Sequence, residues 1–517
     1  MPILNPIKVR QTFLDRLIEH FWPEWGHARL GARVMLSAMK RNYSAGDRGR
    51  RTEGWSVTVG NGPNAALKKS LPLIRERSRD LVRNNPWAGS MHSEVVANMT
   101  HFGIVASFSR KPSGNGKDLD AEVVLDLWNG WAETTQIDTH KTKDLYDIQR
   151  LAVSTWAESG ECFIRRTWRP DWKPGEIPFA LQVLEPEFID QSKDGRDNTK
   201  MGIKFDDNGA RLGYWVYKRH PGESITEGSI FVPAEEMIHL YWEGRPGQIR
   251  GVPIMAPSIL RLNDLDGFEQ GELIKQEIAS YYAGFIKKKD GYGQGNSEQQ
   301  GTGTRAGFNR LEPGAFEVLG PDEDIVFSNP PQRSGYPEFV KQNLLAATAP
   351  VGPTYEAVSG DFGRVTFLNG RMGQLRFHRR VDQWQWLMFI PKVCNRIAEW
   401  FRQGALVAGY DLSEWQDDWQ PPVKQMVDPE KELNASEKAV RMGTKTQFEL
   451  IRENGKDPIP FLDSYREAQG ACDERGITLT TDVRKISDAG QTQNTGQQGT
   501  EEEEAEPDDS QENPDEE

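Results

Sequence analysis

The sequence predicts an α+β protein dominated by long helices. Between residues 161 and 242 apolar side chains alternate with period two, in four runs separated by Pro, Gly and Asp. After Pro257 the period changes. Ile259, Leu262, Leu265, Phe268, Ile274, Ile278, Tyr281 and Phe285 recur at three or four residues, apart from one step of six between Phe268 and Ile274, mostly on one helical face. A third observation bounds the ordered part. From Gln491 the chain is Gln, Thr, Gly and Asn, then acid, and residues 501–517 hold eleven Asp/Glu and no Lys/Arg. Such a segment has nothing to bury, so residues 476–517 are expected to be a disordered acidic tail. Its charge accounts for most of the net −14 of the 517-residue chain, since −14 + 11 = −3.

The elements can be taken in chain order. Residues 1–116 carry 18 Lys/Arg against 8 Asp/Glu, most densely in "KRNYSAGDRGRR", residues 40–51. Charge alone favours a solvated basic arm over residues 1–70 rather than a nucleic-acid arm. "SLPLIRERSRDLVRNNPWAGSMHSEVVANMTHFGI" reads as a helix, a break at Pro86 and a second helix. Residues 119–160 read as helical, with Trp128, Trp131 and Trp156 as core aromatics. "ECFIRRTW", "FALQVLEP", "GARLGYWVYKR" and "EEMIHLYW" read as strands. Residues 256–286 then give roughly 46 Å of helix at about 1.5 Å per residue. "KKKDGYGQGNSEQQGTGTRAG" ends it, and a β-like stretch runs to residue 331. A second helix starts at Pro337, a good first-turn proline, and stops at Pro350 and Pro353. The Gly-rich "YEAVSGDFGRVTFLNGR" opens a third helix from residue 368 to 402, with a kink expected at Pro391. After Trp415 and Trp419 a helical block runs to about residue 475.

Chemistry is hard to place on this chain. A phosphate loop needs GxxxxGK[ST], but "SGNGKD" and "ENGKD" put Asp where the Mg²⁺-binding hydroxyl belongs. The eight histidines form no HExxH pair, and His239 reads as a satisfied, half-buried histidine on a strand. Cys162, Cys394 and Cys472 form no CxxC, which fits reduced thiols in a cytoplasm better than a disulfide framework or a zinc knuckle. There is no GxSxG, no signal-peptide pattern and no apolar run of eighteen. No catalytic residue, metal, cofactor or membrane partner is therefore expected. A two-metal nuclease, whose aspartates can be scattered in sequence, is the enzyme alternative.

Five stretches, taken in order, carry a resemblance. They are "RSRDLVRNNPWAGS", "ESGECFIRR", "RPGQIRGVP", "YEAVSGDFGRVTFLNGR" and "VDPEKELNASEKAVRMGTKTQFELIRENGKDP". In this order and spacing the chain resembles the lambda family of tailed-phage portal proteins, over residues 70–475. One departure is "FLNGR", where the family often has a Ser-rich YSS-x-R stretch.

The resemblance implies a portal fold in a dodecameric ring at one capsid vertex. It implies a wing over residues 71–255, a first stem helix over 256–288 and a clip over 289–335. A second stem helix over 336–354, a tunnel loop over 355–368, a long helix with the rest of the wing over 369–424, and a crown over 425–475 would come next. The implied partners are other copies of the chain, duplex DNA passing without sequence preference, and the terminase large subunit. Head-completion and adaptor proteins and the major capsid and scaffolding proteins complete the set. The implied location is the virion, after assembly in the host cytoplasm. The alternative is a phage nuclease or terminase-type enzyme.

The resemblance also marks two sites. Ser359, Gly360, Asp361, Gly363, Arg364 and Thr366 would line the channel, with the glycines giving the loop freedom and Asp361 keeping contact with phosphate weak. Arg364 is expected to pair with an acidic group on the next subunit. The acidic residues of the first stem helix, Asp264, Asp266, Glu269, Glu272 and Glu277, suit a conduit through which DNA slides, or an ordinary solvated face. In "HLYWEGRPGQIRGVP", Arg245, Gly247, Gln248, Arg250 and Gly251 would join the wing to the stem. There the arginines bind carboxylates or carbonyls, at a subunit boundary or as a clamp inside the chain.

Overall fold

The computed structural model describes residues 62–110, 121–223, 228–280, 284–288, 323–327, 335–363, 365–424, 428–456, 458–477 and 479. Most of the basic arm, most of the expected clip, Arg364 and nearly all of the acidic tail lie outside the described residues. The chain divides into two units, Met1–Ala66 and Leu67–Glu517, and nearly all the described residues belong to the second.

Helices α1 (Pro63–Asn84) and α2 (Pro86–Thr100) meet at Pro86, as the sequence suggests. Asn85 caps α2 through its side-chain oxygen, which accepts from the N–H of Ala88 at 3.0 Å. Strand β1 (Val105–Arg110), α3 (Ala121–Ala132) and α4 (Leu145–Ser159) come next. Three strands, β2 (Glu161–Trp168), β3 (Phe179–Leu184) and β8 (Met237–Tyr241), form an antiparallel sheet in the order β3-β2-β8. Between β3 and β8 lies a four-stranded meander of β4 (Thr199–Lys200), β5 (Ile203–Phe205), β6 (Arg211–Tyr217) and β7 (Ser229–Pro233). All four strands read from the sequence are present. The short β4, β5 and β7 are not read there; β4 and β5, with two and three residues, carry too little period.

Helix α5 (Ile259–Ser280) is 22 residues long, about 33 Å at 1.5 Å per residue, shorter than the expected 46 Å. The apolar spacing continues past the point where the helix stops. Gly284–Lys288 forms β9, paired antiparallel with β10 (Glu323–Phe327). Phe285 and Ile286 are good strand formers, and pairing wins over the local period. Helix α6 (Tyr336–Val351) has Pro337 in its first turn as expected. The expected loop over residues 355–368 begins as a short helix, α7 (Tyr355–Ser359).

The long third helix is α8 (Phe367–Trp384), a π-helical segment Gln385–Cys394, and α9 (Asn395–Ala408). Pro391 sits inside the π segment, where the sequence suggests a kink in an α-helix. The wider turn accommodates a residue that has no N–H to donate and whose ring crowds the carbonyl four residues back. Strand β11 (Trp415–Gln420) then pairs antiparallel with β1, more than 300 residues away in sequence. Helices α10 (Pro429–Arg441), α11 (Gln447–Glu453) and α12 (Pro458–Glu474) end the described chain.

One apolar core joins α2, α3, α4, α8 and α9 to the β3-β2-β8 sheet. Trp128, Trp131 and Trp156 are buried in it as expected, with Phe401 edge-on to Trp128 and stacked on Trp131. A second, smaller core lies under the four-stranded meander, around Phe163, Ile203, Tyr214 and Val216.

Candidate functional site

The loop between β8 and α5 is held by a buried carboxylate on β2. Helix α4 ends at Gly160, in the left-handed region with φ +87°, which sends Glu161 inward as the first residue of β2. Glu161 is fully buried. One oxygen, Oε1, accepts from Arg75 of α1 and from Nε of Arg250 at 2.7 Å. The other, Oε2, accepts from Nε2 of His239 on β8 at 2.9 Å and from the backbone N–H of Gly251 at 2.8 Å. A single carboxylate thus ties together α1, strands β2 and β8, and the loop that leads into α5.

The arginines spend most of their remaining donors on backbone, with Arg75 Nη1 also 4.0 Å from the Glu187 carboxylate. Arg75 Nε donates to the carbonyl of Ser159 at 3.1 Å. Arg250 donates from Nη1 to the carbonyl of Met201 at 2.8 Å and from Nη2 to that of Pro186 at 3.2 Å. Its guanidinium also lies over the Phe163 ring, 5.7 Å from the centroid. Of the two readings of the loop arginines, the geometry of Arg250 is that of a clamp inside the chain. Its guanidinium is 0% exposed, so it has no face left for another subunit. Arg245, by contrast, is exposed.

Electrostatics follow from this burial. Burial alone would raise the Glu161 carboxyl, but Arg250 and Arg75, with the His239 hydrogen bond, hold it well below the usual carboxylate range. Burial lowers Arg75 to about 10 against the pull of Glu161. Burial lowers His239 to about 3, so the ring is neutral at neutral pH. The hydrogen-bond network assigns its proton to Nε2, and Nδ1 is left without a partner among the described residues. Phe163 stacks on this ring at 4.2 Å, and Tyr241 flanks it at 4.4 Å.

The glycines here act in different ways. A Cβ on Gly251 would lie 2.0 Å from the carbonyl oxygen of Gly160, so the two backbones touch. Gly247 has φ +79° with open space around it and serves the turn closed by the N–H of Gln248 on the carbonyl of Arg245. Gln248 is buried and braces the loop from within. Its Oε1 accepts from Gly244 N–H at 3.1 Å, and its Nε2 donates to the Arg250 carbonyl at 2.7 Å. Lys392, in the π segment, donates to the carbonyl of Tyr241 at 2.7 Å and so pins the long helix to the start of this loop.

The second predicted site is more open. Gly360 ends α7 with φ +70°, its N–H on the Glu356 carbonyl. Gly363 is not in the left-handed region, so the conformational freedom expected of both glycines is used only at Gly360. Ser359 Oγ accepts from the Asp361 N–H at 3.2 Å, and Asp361 accepts from the Gly363 N–H at 3.3 Å. The Tyr355 hydroxyl donates to Asp361 at 3.4 Å. Thr366 caps α8, accepting from the Asn369 N–H at 3.4 Å. Phe362 is 64% exposed at the tip, and Ser90 of α2 fixes the base of the loop by donating to the Val358 carbonyl.

The sequence alone places Arg250, Gly251 and Gln248 together but misses Arg75, Glu161 and Gly160. The available signal is the charged Glu161 directly after a glycine and directly before the apolar run Cys162-Phe163-Ile164. Among the described residues, Glu185, Glu187 and His220 bring three ligand-type atoms within 4.8 Å of one another. Arg79 already supplies their positive charge, 2.6 Å from Glu187 and 3.9 Å from Glu185.

Comparison with known proteins returns the model described as phage portal protein, lambda family, over residues 48–385. The chain is 21% identical over 459 residues to the probable portal protein of Halomonas phage phiHAP-1, covering 83% of this chain and 86% of that one. It is 23% identical over 449 residues to portal protein B of Escherichia phage lambda, covering 76% and 83%. Among solved structures, a chain from the virion of a native gene transfer agent particle is similar at a TM-score of 0.45 and 13% identity. That match covers 75% of this chain and 94% of the other.

Proposed function

The chain belongs to the lambda family of phage portal proteins, and from that premise we propose that it forms the dodecameric ring through which phage DNA enters and leaves the capsid. The observation that carries this reading is the family match over residues 48–385, which spans both candidate sites up to the start of the π segment. Portal proteins are structural parts of the virion head–tail connector. Membership therefore weighs against the nuclease or terminase alternative.

In this reading α5 and α6 are the stem, the β9–β10 pair belongs to the clip, and α10 to α12 are the crown. Residues 71–255 form the wing. The loop from Ser359 to Thr366 faces the channel, Arg364 pairs with the neighbouring subunit, and exposed Arg245 lies toward a subunit boundary. The ring docks a terminase large subunit during packaging and head-completion proteins afterwards. It also seeds the assembly of capsid and scaffolding proteins in the host cytoplasm.

The buried Glu161 cluster supports a mechanical part of this reading. A ring under load from moving DNA needs its stem fixed rigidly to its wing. Glu161, Arg250 and Gly251 make that joint from interior groups rather than from a flexible linker.

Negative-stain microscopy of the purified chain tests the proposal. Rings with an axial hole are expected. Compact single particles, or magnesium-dependent cleavage of DNA lost on a point substitution in this chain, would overturn it.

A further inference from the structure

Helices α5 and α8 each leave the side opposite their buried face uncovered. On α5 the buried side carries Leu262 and Leu265, and the opposite side carries Leu260, Asp264, Gly267, Gly271 and Ile274. Leu260 is 67% exposed and Ile274 56%, and a Cβ added at Gly267 or Gly271 would meet nothing within 4 Å. On α8 the buried side carries Phe377, Val381 and Trp384, and the opposite side carries Leu368, Met372, Leu375 and Arg379. Leu368 and Met372 are 65% and 64% exposed. Both stripes run at the three-and-four spacing by which helices pack on each other.

The two faces are opposite in charge as well as in shape. Helix α5 has five Asp/Glu against two Lys/Arg, a net of −3, and α8 has four Arg against one Asp, a net of +3. Asp264 is exposed, and Arg376 and Arg379 are exposed with no ion pair among the described residues. The α5 stripe is hollow in the middle, where the glycines are. The α8 stripe is full in the middle, where Met372 and Leu375 stand.

We infer that α8 of one copy docks antiparallel on α5 of the next copy in the ring. Met372 and Leu375 fill the hollow over Gly271 and Gly267, Leu368 meets Ile274, and Arg379 pairs with Asp264. In this direction the steps are 4-3-4 for 368, 372, 375, 379 and 3-4-3 for 274, 271, 267, 264, so the two stripes stay within one residue of register along their length. Because the two surfaces differ, the contact is head-to-tail, the kind that closes a ring rather than a two-fold dimer. This rests on the ring proposed above and names the contact that would build it.

The test measures ring assembly of the full chain by light scattering, at fixed salt, as a function of protein concentration. Asp264→Arg alone and Arg379→Asp alone should each raise the concentration for half-assembly by about tenfold or more, because like charges then meet at the contact. The double exchange should return it to within about threefold of the wild type. A second arm does not depend on charge. In a Cys472→Ser background, Gly267→Cys with Leu375→Cys should give, on oxidation, a ladder of covalent multimers that neither single cysteine gives. If the wild-type chain forms no ring, the functional reading itself fails. If it forms rings but the double exchange assembles no better than the singles, or the ladder is missing, the ring stands and this contact is wrong.

Discussion

Glu161 holds two buried arginines, and removing its charge leaves Arg250 with no carboxylate among the described residues and Arg75 with only Glu187, 4.0 Å away. Replacing Glu161 with Gln should lower stability by about 3–5 kcal/mol, the usual cost of leaving a buried charge without its partner. Chemical denaturation of the full chain would measure it, and a loss under about 1 kcal/mol would show that water reaches the cluster. His239 adds a pH dependence of known sign. The unfolded chain protonates this histidine below about 6.5, whereas the fold resists protonation until about 3. Between those values the unfolded state binds the extra proton, so stability falls as the pH drops, by at most about 1.4 kcal/mol per unit. The depressed Glu161 carboxyl acts lower. Its contribution is intact above the unfolded carboxylate value of about 4.3 and is lost as pH falls through its folded value. Above about pH 4.5 the Glu161 contribution is constant, and the slope up to about pH 6.5 comes from His239 together with His378, which burial also lowers, and Glu94 and Glu158, which burial raises. His239→Gln, which keeps a donor for Glu161, should change the slope of the stability profile there by the His239 share, and an unchanged slope would assign the titration elsewhere. The glycines of the same loop separate two physical effects. Gly251→Ala forces a carbon onto the Gly160 carbonyl and should prevent native folding, while Gly247→Ala meets open space and should cost about 1 kcal/mol for its positive φ. From the sequence, the conformational need at Gly247 can be read from Pro246-Gly247. The contact at Gly251 cannot, because it depends on which strand passes behind.

At the scale of elements, the sequence is most legible where one period runs long enough. Strand β2 begins and ends on the residues read as a strand from the sequence, and α6 has its proline in the first turn. Legibility fails at boundaries decided by distant partners. Residues 281–286 continue the apolar spacing of α5, yet β9 forms because β10, nearly forty residues on, supplies its hydrogen bonds. Trp415 and Trp419 are visible only as aromatics, since their strand exists by pairing with β1. The loop before α8 gives an element-scale prediction. Gly360→Val must hold a β-branched residue at φ +70°, a cost of roughly 1–3 kcal/mol, while Gly363→Val has no such strain to bear. If this loop faces moving DNA, Gly360→Val should leave rings intact but cut the yield of DNA-filled heads in phage complementation, with Gly363→Val near wild type. Equal yields from the two variants would remove the loop from the channel.

Over the whole molecule, composition separates two kinds of chain. The body buries one large apolar core and one smaller one, and its charges are nearly balanced. Residues 491–517 carry the −11 that makes the protein acidic and offer a core no aliphatic or aromatic side chain larger than alanine. A chain ending at residue 490 has a formal charge of −3 and keeps every helix and strand found among the described residues. It should therefore still form rings, because the apolar faces proposed to meet between copies belong to the body. The body's small net charge also predicts a difference. With less mutual repulsion between copies, the shortened chain should assemble at lower concentration in low salt, and the gap should close as added salt screens the tail. Light scattering across a salt series, run on both chains side by side, would measure this. A shortened chain that remains monomeric at every salt concentration would show that residues 491–517 carry an assembly contact.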